Sequence, residues 1–247
     1  MRQAPLPPAL AIGLPVFGVA SILVAWQYLL PLLGVPAYIV PTPTAIFGVF
    51  EKNFALLMDN LRPTLIEALA GFVIGNLAAV LLAVLFVHNR ILQATYFPIV
   101  LFFNTIPVLA LSPIIILIFG LGMTPKIVIA AVICFFPTLV NMIRGLDSAS
   151  DNEHELFRVL SATRSEIFWS LRLPRALPML FSSLRIASAT AVIGEWIGSD
   201  KGLGALIIQA SFNYQSDRLY AAIVLSSCLS IVLFCAVVLV ERRVIKY

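Results

Sequence analysis

Long apolar runs separated by short polar segments dominate this chain. Each run is long enough to cross a bilayer as a helix, which takes about 17 to 25 residues. The runs are Ala9–Leu33, Thr64–Val87, Ile91–Gly120, Lys126–Met142, Leu177–Gly198 and Leu219–Val240. The pattern therefore predicts an all-α polytopic membrane protein with about six transmembrane helices.

Two other segments are too short or too polar to be read as spans. In Thr44–Arg62, apolar residues recur at helical spacing opposite Glu51, Lys52 and Asp59. We expect this amphipathic helix to lie at the membrane interface rather than to cross the bilayer. Ala205–Phe212 is long enough only for a short re-entrant or surface helix.

The run Ile91–Gly120 is interrupted by prolines and polar residues. The prolines are Pro98, Pro107 and Pro113, and the polar residues are Asn104, Thr105 and Ser112. Three prolines should break or kink the helix. Broken helices in membranes often line cavities, although plain structural kinking explains the prolines equally well. Candidates for a substrate path are Asn104, Thr105, Ser112, Asn141 and Glu195.

A few residues stand out within the apolar runs. Glu67 falls in the first turn of its run, where we expect its carboxylate to lie near the headgroups. Arg185 is deeper and should snorkel, pair or face protein. Glu195 is either an interfacial anchor or a residue at a cavity mouth. The spacing Gly71-x-x-x-Gly75 predicts close packing of another helix.

The most polar stretch is Ser150–Pro174, between two apolar runs. Ser150-x-x-Glu153 and Thr163-x-x-Glu166 are both capping boxes, so each predicts a helix start. Apolar residues then share one face of each helix: Leu156, Phe157 and Leu160 in the first, and Ile167, Phe168 and Leu171 in the second. Pro174 is expected to end the second helix. Two short helices with exposed apolar faces predict a docking surface for another protein.

Composition agrees with a membrane protein and excludes several functions. Of the 247 residues, 61% are hydrophobic and 11% charged, whereas soluble domains are about a quarter charged. The net charge of +4 gives no reason to expect a nucleic-acid partner. The three cysteines lie in apolar runs, and the two histidines are far apart, so neither disulfides nor a metal site is expected. The chain has no GxxxxGK[ST] sequence for binding ATP.

The basic residues are distributed unequally between the two sides of the predicted bundle. Ten lie on the side of the termini, and five lie on the other side. The ten are Arg2, Arg90, Arg144, Arg158, Arg164, Arg172, Arg175, Arg242, Arg243 and Lys246; the five are Lys52, Arg62, Lys126, Lys201 and Arg218. Because cytoplasmic loops carry the excess of Lys and Arg, we expect both termini and Ser150–Pro174 in the cytoplasm.

The polar stretch resembles the cytoplasmic loop of bacterial ABC-importer permeases, with its pattern E-A-A-x3-G-x9-I-x-L-P. The matching residues are Glu155-Leu156-Phe157, then Ser161, Leu171 and Leu173-Pro174, at the family's spacing. Four other stretches are also similar: Ile106–Gly122, Phe135–Asn141, Arg175–Ala187 and Gly202–Ile207. The resemblance covers about Pro41–Arg243 and is strongest to the nitrate/sulfonate/taurine branch.

Three positions of this loop depart from the family's pattern. Leu156 and Phe157 replace the two alanines, and Ser161 replaces the usual glycine. A glycine suits a left-handed residue at a helix end, where serine costs up to about 1 kcal/mol.

The resemblance implies a type I ABC importer permease fold and a place in a larger assembly. Residues 1–43 would hold the first span, 44–243 the permease domain with coupling loop 144–175, and 244–247 a tail. In the bacterial inner membrane, two permease copies, as a homodimer, would each dock one cytoplasmic ATPase and receive cargo from an extracytoplasmic binding protein. ATP would be used by the ATPase, and this chain would bind no cofactor. The residues implied in ATPase docking are Glu155, Leu156, Phe157, Leu160 and Ser161.

The cargo implied by the family is a small solute of the sulfonate, nitrate, taurine or vitamin-precursor class. The main alternative is an ion-coupled secondary transporter, which usually has mid-span charges or inverted repeats. Here only Arg185 is a candidate for a deep charge, and no convincing repeat is present. An intramembrane enzyme would need a nucleophile with a base or metal ligands, and none is evident. A membrane scaffold is the third alternative, which the loop spacing disfavours.

Overall fold

The computed structural model describes residues 8–196 and 201–245, and every element in that part of the chain is helical. The α-helices are α1 (Pro8–Leu32), α2 (Pro43–Lys52), α3 (Phe54–His88), α4 (Arg90–Asn104), α5 (Ser112–Phe119), α6 (Met123–Leu146), α7 (Asp151–Val159), α8 (Arg164–Ile167), α9 (Leu173–Thr190), α10 (Leu203–Phe212) and α11 (Ser216–Val244). Three other turns join them: 3₁₀ helices at Val108–Leu111 and Ala191–Trp196, and a π-helix at Phe168–Arg172.

Five helices in the described part are long and apolar enough to cross a membrane, which confirms the predicted all-α polytopic fold. They are Gly13–Leu32, Phe54–His88, Met123–Leu146, Arg164–Glu195 and Ser216–Val244. The predicted third run is broken, as its prolines indicated. It forms α4, of 15 residues, the 3₁₀ turn after Pro107, and α5, of 8 residues.

The predicted interfacial helix Thr44–Arg62 is wrong in its second half. Helix α2 ends at Lys52, where the N–H of Asn53 donates to the carbonyl of Val49, and α3 begins at Phe54. Residues 54–62 are therefore the start of a 35-residue helix that continues through Pro63. At about 1.5 Å per residue, this helix is longer than the hydrocarbon core of a bilayer is thick.

Pro174 does not end a helix, contrary to the prediction. The chain passes from α8 through the π-helix Phe168–Arg172 directly into α9, and Pro174 lies in the first turn of α9. The wider π turn changes the hydrogen-bond pattern just before the proline. The missing N–H of Pro174 is therefore tolerated, as at an ordinary helix start.

The chain divides into two compact units. One consists of residues 1–58 and 206–224, and the other of 59–205 and 225–247. In the described part of the first unit, Ile46, Val49 and Ala221 form a buried cluster with Trp26 and Tyr220 packed around it. The indole N–H of Trp26 donates to the carbonyl of Pro41 at 3.0 Å.

In the second unit, α6 is the central helix and packs along α3 and α9. Small residues allow the close approach. A Cβ atom at Gly75 would lie 2.2 Å from the carbonyl oxygen of Ala131, and one at Gly71 would lie 2.4 Å from Ala130 Cβ. The prediction of close helix packing at this GxxxG spacing is therefore confirmed. At the other end of α6, a Cβ at Gly145 would meet Ala176 of α9 at 2.8 Å.

Candidate functional site

Helix α7 forms part of the polar connection between α6 and α9, and its start is capped by side chains. The hydroxyl of Ser150 accepts from the amide of Glu153 at 3.4 Å, and the Ser150 amide donates to Glu153 Oε2 at 2.9 Å. Thr163 and Glu166 form the same reciprocal pair before α8, at 3.3 and 2.7 Å. Both predicted capping boxes are confirmed.

The end of α7 is a Schellman motif. The amide of Ala162 donates to the carbonyl of Phe157 at 3.0 Å, and the Ser161 amide donates to that of Arg158 at 2.9 Å. Ser161 has a φ of +54°, in the left-handed region. The chain thus keeps the turn that glycine favours while placing a serine in it.

A second bond of Glu153 links α7 to α9. While Oε2 caps the helix, Oε1 accepts from the guanidinium of Arg175. The hydrogen bond from the Ser150 backbone N–H is the main reason that the pKa of Glu153 is below its ordinary value, and Arg175 lowers the pKa further. The carboxylate is therefore ionised at neutral pH and joins two helices.

The predicted docking residues on α7 are mostly exposed. Leu156 is 57% exposed and Leu160 is 66% exposed, one helical turn apart, and Glu155 and Ser161 are exposed beside them. Phe157 is half-buried. Exposed apolar side chains grouped within a polar segment are typical of a surface that contacts another protein.

The second apolar face predicted in this loop is not exposed. Phe168 and Leu171 are buried, and Phe168 belongs to a cluster with Phe86 of α3 and Met142 of α6. The ring of His88 lies 5.0 Å from that of Phe168. The prediction of two exposed faces was wrong because the segment after α8 is the first part of a packed transmembrane helix.

The predicted substrate-path residues do not form one cluster in the structure. Asn104 and Thr105 are exposed at the end of α4, and the Thr105 hydroxyl donates to the carbonyl of Phe102 at 2.7 Å. Ser112 and Asn141 are half-buried. Glu195 is buried and bonded to other residues of the chain. Their role in a path stays a prediction.

An apolar cavity of about 510 Å³ lies among α3, α4 and α6. None of its twelve lining residues is among the predicted path residues. The lining includes the aromatic rings of Phe103, Phe135 and Phe136, and those of Phe135 and Phe136 lie edge to face at 85°. A cavity of this size and composition suits a small apolar or aromatic group.

At the opposite end of α6 from the loop, three charged side chains form a buried ion cluster, defined here as Glu67, Lys126 and Glu195. Lys126 is 1% exposed, and its Nζ lies 3.1 Å from Glu67 Oε2 and 3.1 Å from Glu195 Oε1. Its third N–H donates to the carbonyl of Lys201 at 2.7 Å. All three ammonium donors are therefore engaged.

The three amides that follow Lys201 are also bound by side chains. The amide of Gly202 donates to Asn60 Oδ1 at 3.0 Å, and that of Leu203 donates to Thr64 Oγ1 at 2.9 Å. The Gly204 amide donates to Glu195 Oε2 at 2.8 Å. Because amides at a helix start have no partner within the helix, these side chains cap α10 and hold its start to α3 and to Glu195.

The sequence did not predict this cluster. Glu67 was expected near the headgroups, and Glu195 as an interfacial anchor or at a cavity mouth, but both are buried. Lys126 lies 59 positions from Glu67 and 69 from Glu195, so only the fold brings them together. One available signal was the presence of opposite charges at three helix ends that the predicted topology places on the same side.

Arg185, which was expected to snorkel, pair or face protein, forms an ion pair. Its Nε lies 3.4 Å from Glu241 Oε2 of α11. Among residues 8–196 and 201–245, no group of three or more His, Cys, Asp or Glu side chains is arranged to hold a metal ion.

These features together define a polytopic membrane protein with an exposed, capped amphipathic helix between two packed spans. Residues 71–246 match the family of binding-protein-dependent transport system inner membrane components. The chain belongs to this family.

Relatives across nearly the whole chain are permeases of ABC transporters. An ABC transporter permease of Haemophilus influenzae is 34% identical over 89% of this chain and 91% of its own length. The riboflavin transport permease RibX of Chloroflexus aurantiacus is 33% identical over 96% of this chain and 90% of its own length. The formylaminopyrimidine transport permease ThiX of Halalkalibacterium halodurans is 30% identical over 92% of both.

A solved structure has the same fold. A chain of the MetNI methionine ABC transporter, in an inward-facing crystal form, has a TM-score of 0.59 and 26% identity. The match covers 77% of this chain and 94% of that one. This protein is therefore a multi-pass permease subunit of an ABC importer in the bacterial inner membrane, with a role in transport and not in catalysis. The ion-coupled alternative is not favoured.

Proposed function

We propose that α7 is the coupling helix through which this permease docks a cytoplasmic ATPase. The observation that carries the proposal is an exposed apolar pair, Leu156 and Leu160, on a short helix held rigid at both ends. A capping box fixes its start and a Schellman motif its end. An ordered helix with an exposed apolar face is suited to binding in a groove of a partner protein.

The assembly proposed around this contact follows the family. Two permease copies each bind one ATPase, a binding protein delivers cargo from outside, and both termini and loop 144–175 lie in the cytoplasm. ATP is bound and hydrolysed by the ATPase, and this chain binds no cofactor. The permease domain spans 44–243, after an N-terminal segment 1–43 with the first helix and before the tail 244–247.

Substitutions on α7 test the docking. Leu160→Asp places a charge on the exposed apolar face without filling or emptying the core, and Phe157→Asp places one on the adjacent half-buried position. We expect both variants to insert in the membrane, to lose the co-purifying ATPase and to lose transport. The measurement is the ratio of ATPase to permease after affinity purification from membranes.

Asn152→Asp is the matched control for these variants. Asn152 is exposed in the first turn of the same helix, where an added negative charge is favoured by the helix dipole. We expect this variant to retain the ATPase. Normal stoichiometry in Leu160→Asp and Phe157→Asp would show that α7 is not the docking helix.

We propose a nitrogen heteroaromatic cargo of the vitamin-precursor class. Two relatives at 30% identity or more are named for riboflavin and for formylaminopyrimidine, both heteroaromatic compounds. The apolar cavity with three phenylalanine rings suits a flat ring. An anionic sulfonate would favour a cation in the cavity wall, and none of the twelve lining residues is charged.

Uptake by intact cells tests the cargo class. We expect deletion of the permease gene from its host to abolish uptake of radiolabelled riboflavin or of a labelled aminopyrimidine, and to leave taurine uptake unchanged. Restoring the gene on a plasmid should restore uptake. Loss of taurine uptake alone, or no change for any compound, would contradict the proposal.

Four polar residues remain proposed for the cargo path: Asn104, Thr105, Ser112 and Asn141. Alanine at each should lower uptake while the ATPase still co-purifies, because none lies on α7. Glu195, the fifth candidate, has both carboxylate oxygens bonded within the ion cluster and α10. Unchanged uptake in all four alanine variants would exclude this set.

A further inference from the structure

The ion cluster is built to hold chain segments together and has no donor left for a ligand. Lys126 has three ammonium protons, and each has an acceptor: Glu67, Glu195 and the Lys201 carbonyl. Burial of all three charged groups makes every one of these bonds hard to replace by water. The ion cluster therefore holds separate segments of the chain together and is not a binding site for cargo.

The positions of its members connect the ion cluster to the loop that carries α7. Helix α6 runs from Lys126 in its first turn to Leu146, and the loop follows at once. Helix α9 leaves the same loop and leads to Glu195. The α6–α9 hairpin thus has α7 at one end and the ion cluster at the other, about 30 Å apart at 1.5 Å per residue.

The hairpin is packed in a way that allows it to move as one body. A Cβ at Gly145 near the loop would be 2.8 Å from Ala176, and a Cβ at Gly194 near the cluster would be 3.0 Å from the amide of Ala130. At both ends the backbones are in direct contact, so no flexible side chains separate the two helices there. A displacement at one end is therefore transmitted to the other.

Segment 201–204 is held in position by backbone hydrogen bonds to the ion cluster. The carbonyl of Lys201 and the amide of Gly204 bind Lys126 and Glu195, respectively. Gly202 has a φ of +114°, and a Cβ there would lie 2.5 Å from Glu195 Oε2 and 2.9 Å from Lys126 Nζ. The backbone of this segment thus lies directly against the charges.

We propose that Lys126 is a positioning residue for transport, which fastens segment 201–204 and the start of α10 to the hairpin that carries α7. Movement of α7 then reaches the far end of the bundle through the hairpin, and a signal from that end reaches α7 by the same route. This inference rests on the proposed docking of the ATPase at α7. Lys126 touches no cargo in this role.

The test compares ATP hydrolysis by the complex with and without its binding protein. The permease is purified with its ATPase in lipid nanodiscs, and the binding protein is added at saturation with the cargo it carries from the host. In Lys126→Met, we expect basal hydrolysis within about twofold of wild type, while stimulation by the binding protein falls at least about tenfold. General damage to the fold would lower both rates together.

A second variant leaves the charges intact. Gly202→Ala forces the backbone away from the ion cluster, and we expect the same loss of stimulation with basal hydrolysis retained. Gly122→Ala is its matched control, because Gly122 also has a positive φ, +125°, and a Cβ there would have nothing within 4 Å of it. The control should keep both basal hydrolysis and stimulation.

The outcomes separate this inference from the docking proposal. Normal stimulation in both Lys126→Met and Gly202→Ala would overturn the positioning role while docking stands. A wild-type complex that the binding protein does not stimulate would overturn it as well, because no signal would then cross the hairpin. Failure of the ATPase to co-purify with wild-type permease would instead refute the docking at α7 on which the inference depends.

Discussion

At the residue scale, the clearest local feature is a serine in a conformation that favours glycine. Ser161 is left-handed at the end of α7, and Tyr214 is left-handed at the end of α10, with φ values of +54° and +55°. The resemblance to the permease family pointed to the strain at Ser161. The sequence offered no similar indication for Tyr214, because a tyrosine is not expected at such a position.

Ser161→Gly should stabilise the turn after α7 by about 1 kcal/mol, because glycine adopts a positive φ without a Cβ clash. We expect a higher thermal unfolding midpoint of the purified complex and stronger retention of the ATPase. Tyr214→Gly is the comparison, since it relieves the same φ outside the loop. It should raise the midpoint without changing ATPase retention; equal effects of both variants on retention would contradict a local role of Ser161 in docking.

Because the pKa of Glu153 is lowered, we expect the stability of α7 to depend on pH. Its pKa is lower in the folded chain than its ordinary value of 4.5, chiefly because the Ser150 amide donates to its carboxylate. The stabilisation is therefore complete above that ordinary value and is lost as the pH falls through the lowered pKa. Amide exchange of α7, corrected for the intrinsic rate at each pH, should show protection falling in this acidic range.

Glu153→Gln provides the control for this effect. Glutamine can still accept the hydrogen bond of the capping box, but it does not titrate. Protection of α7 in the variant should be lower than in wild type at neutral pH and should not fall further on acidification. An equal acid-induced loss in the variant would assign the effect to another group.

At the element scale, close helix packing follows from residues that the sequence reveals only in part. The GxxxG spacing predicted a close approach, but the partner, Ala130 and Ala131 of α6, became known only from the fold. Likewise the two capping boxes were readable because their partners are three residues apart. The π-helix was not, because no local residue pattern distinguishes it from an ordinary helical turn.

Gly75→Ala should destabilise the contact of α3 with α6 by about 1 to 3 kcal/mol, because the new methyl group would meet backbone atoms that cannot rotate away. Gly18→Ala in α1 is the control, since nothing lies within 4 Å of a Cβ there. The measurement is the fraction of each variant that stays monodisperse after heating in detergent. Similar losses for both would contradict a specific packing role of Gly75.

At the scale of the whole molecule, the fold class and the family could be inferred from hydropathy and loop spacing. The ion cluster could not, because hydropathy treats a single charge at the end of an apolar run as an interfacial residue. Its members come from separate helices, and their burial depends on the mutual arrangement of α3, α6 and α9. For the same reason, the predicted path residues did not identify the apolar cavity.

The broken segment between α3 and α6 decides the topology. If α4, the 3₁₀ turn and α5 together cross the membrane, positions 89 and 122 lie on opposite sides and both termini share one side. We expect a green fluorescent protein fused after Asn89 or Tyr247 to fluoresce, and alkaline phosphatase fused after Gly122 to be active. Reporters placing Asn89 and Gly122 on the same side would show that the segment does not cross.

The π-helix at 168–172 has a consequence for how this chain tolerates insertions and deletions. It inserts one extra residue into an otherwise continuous helix, and each residue of an α-helix accounts for about 100° of rotation. Removing one residue there would restore regular α geometry and leave the relative faces of α8 and α9 unchanged, whereas drawing all five residues into α geometry would rotate α9 relative to α8 by that angle. Phe168 would then no longer point where Phe86 and Met142 receive it. The five-residue π turn therefore sets the rotation of α9 relative to α8. As a result, α8 and α9 can each direct their apolar side chains toward their own packing partners.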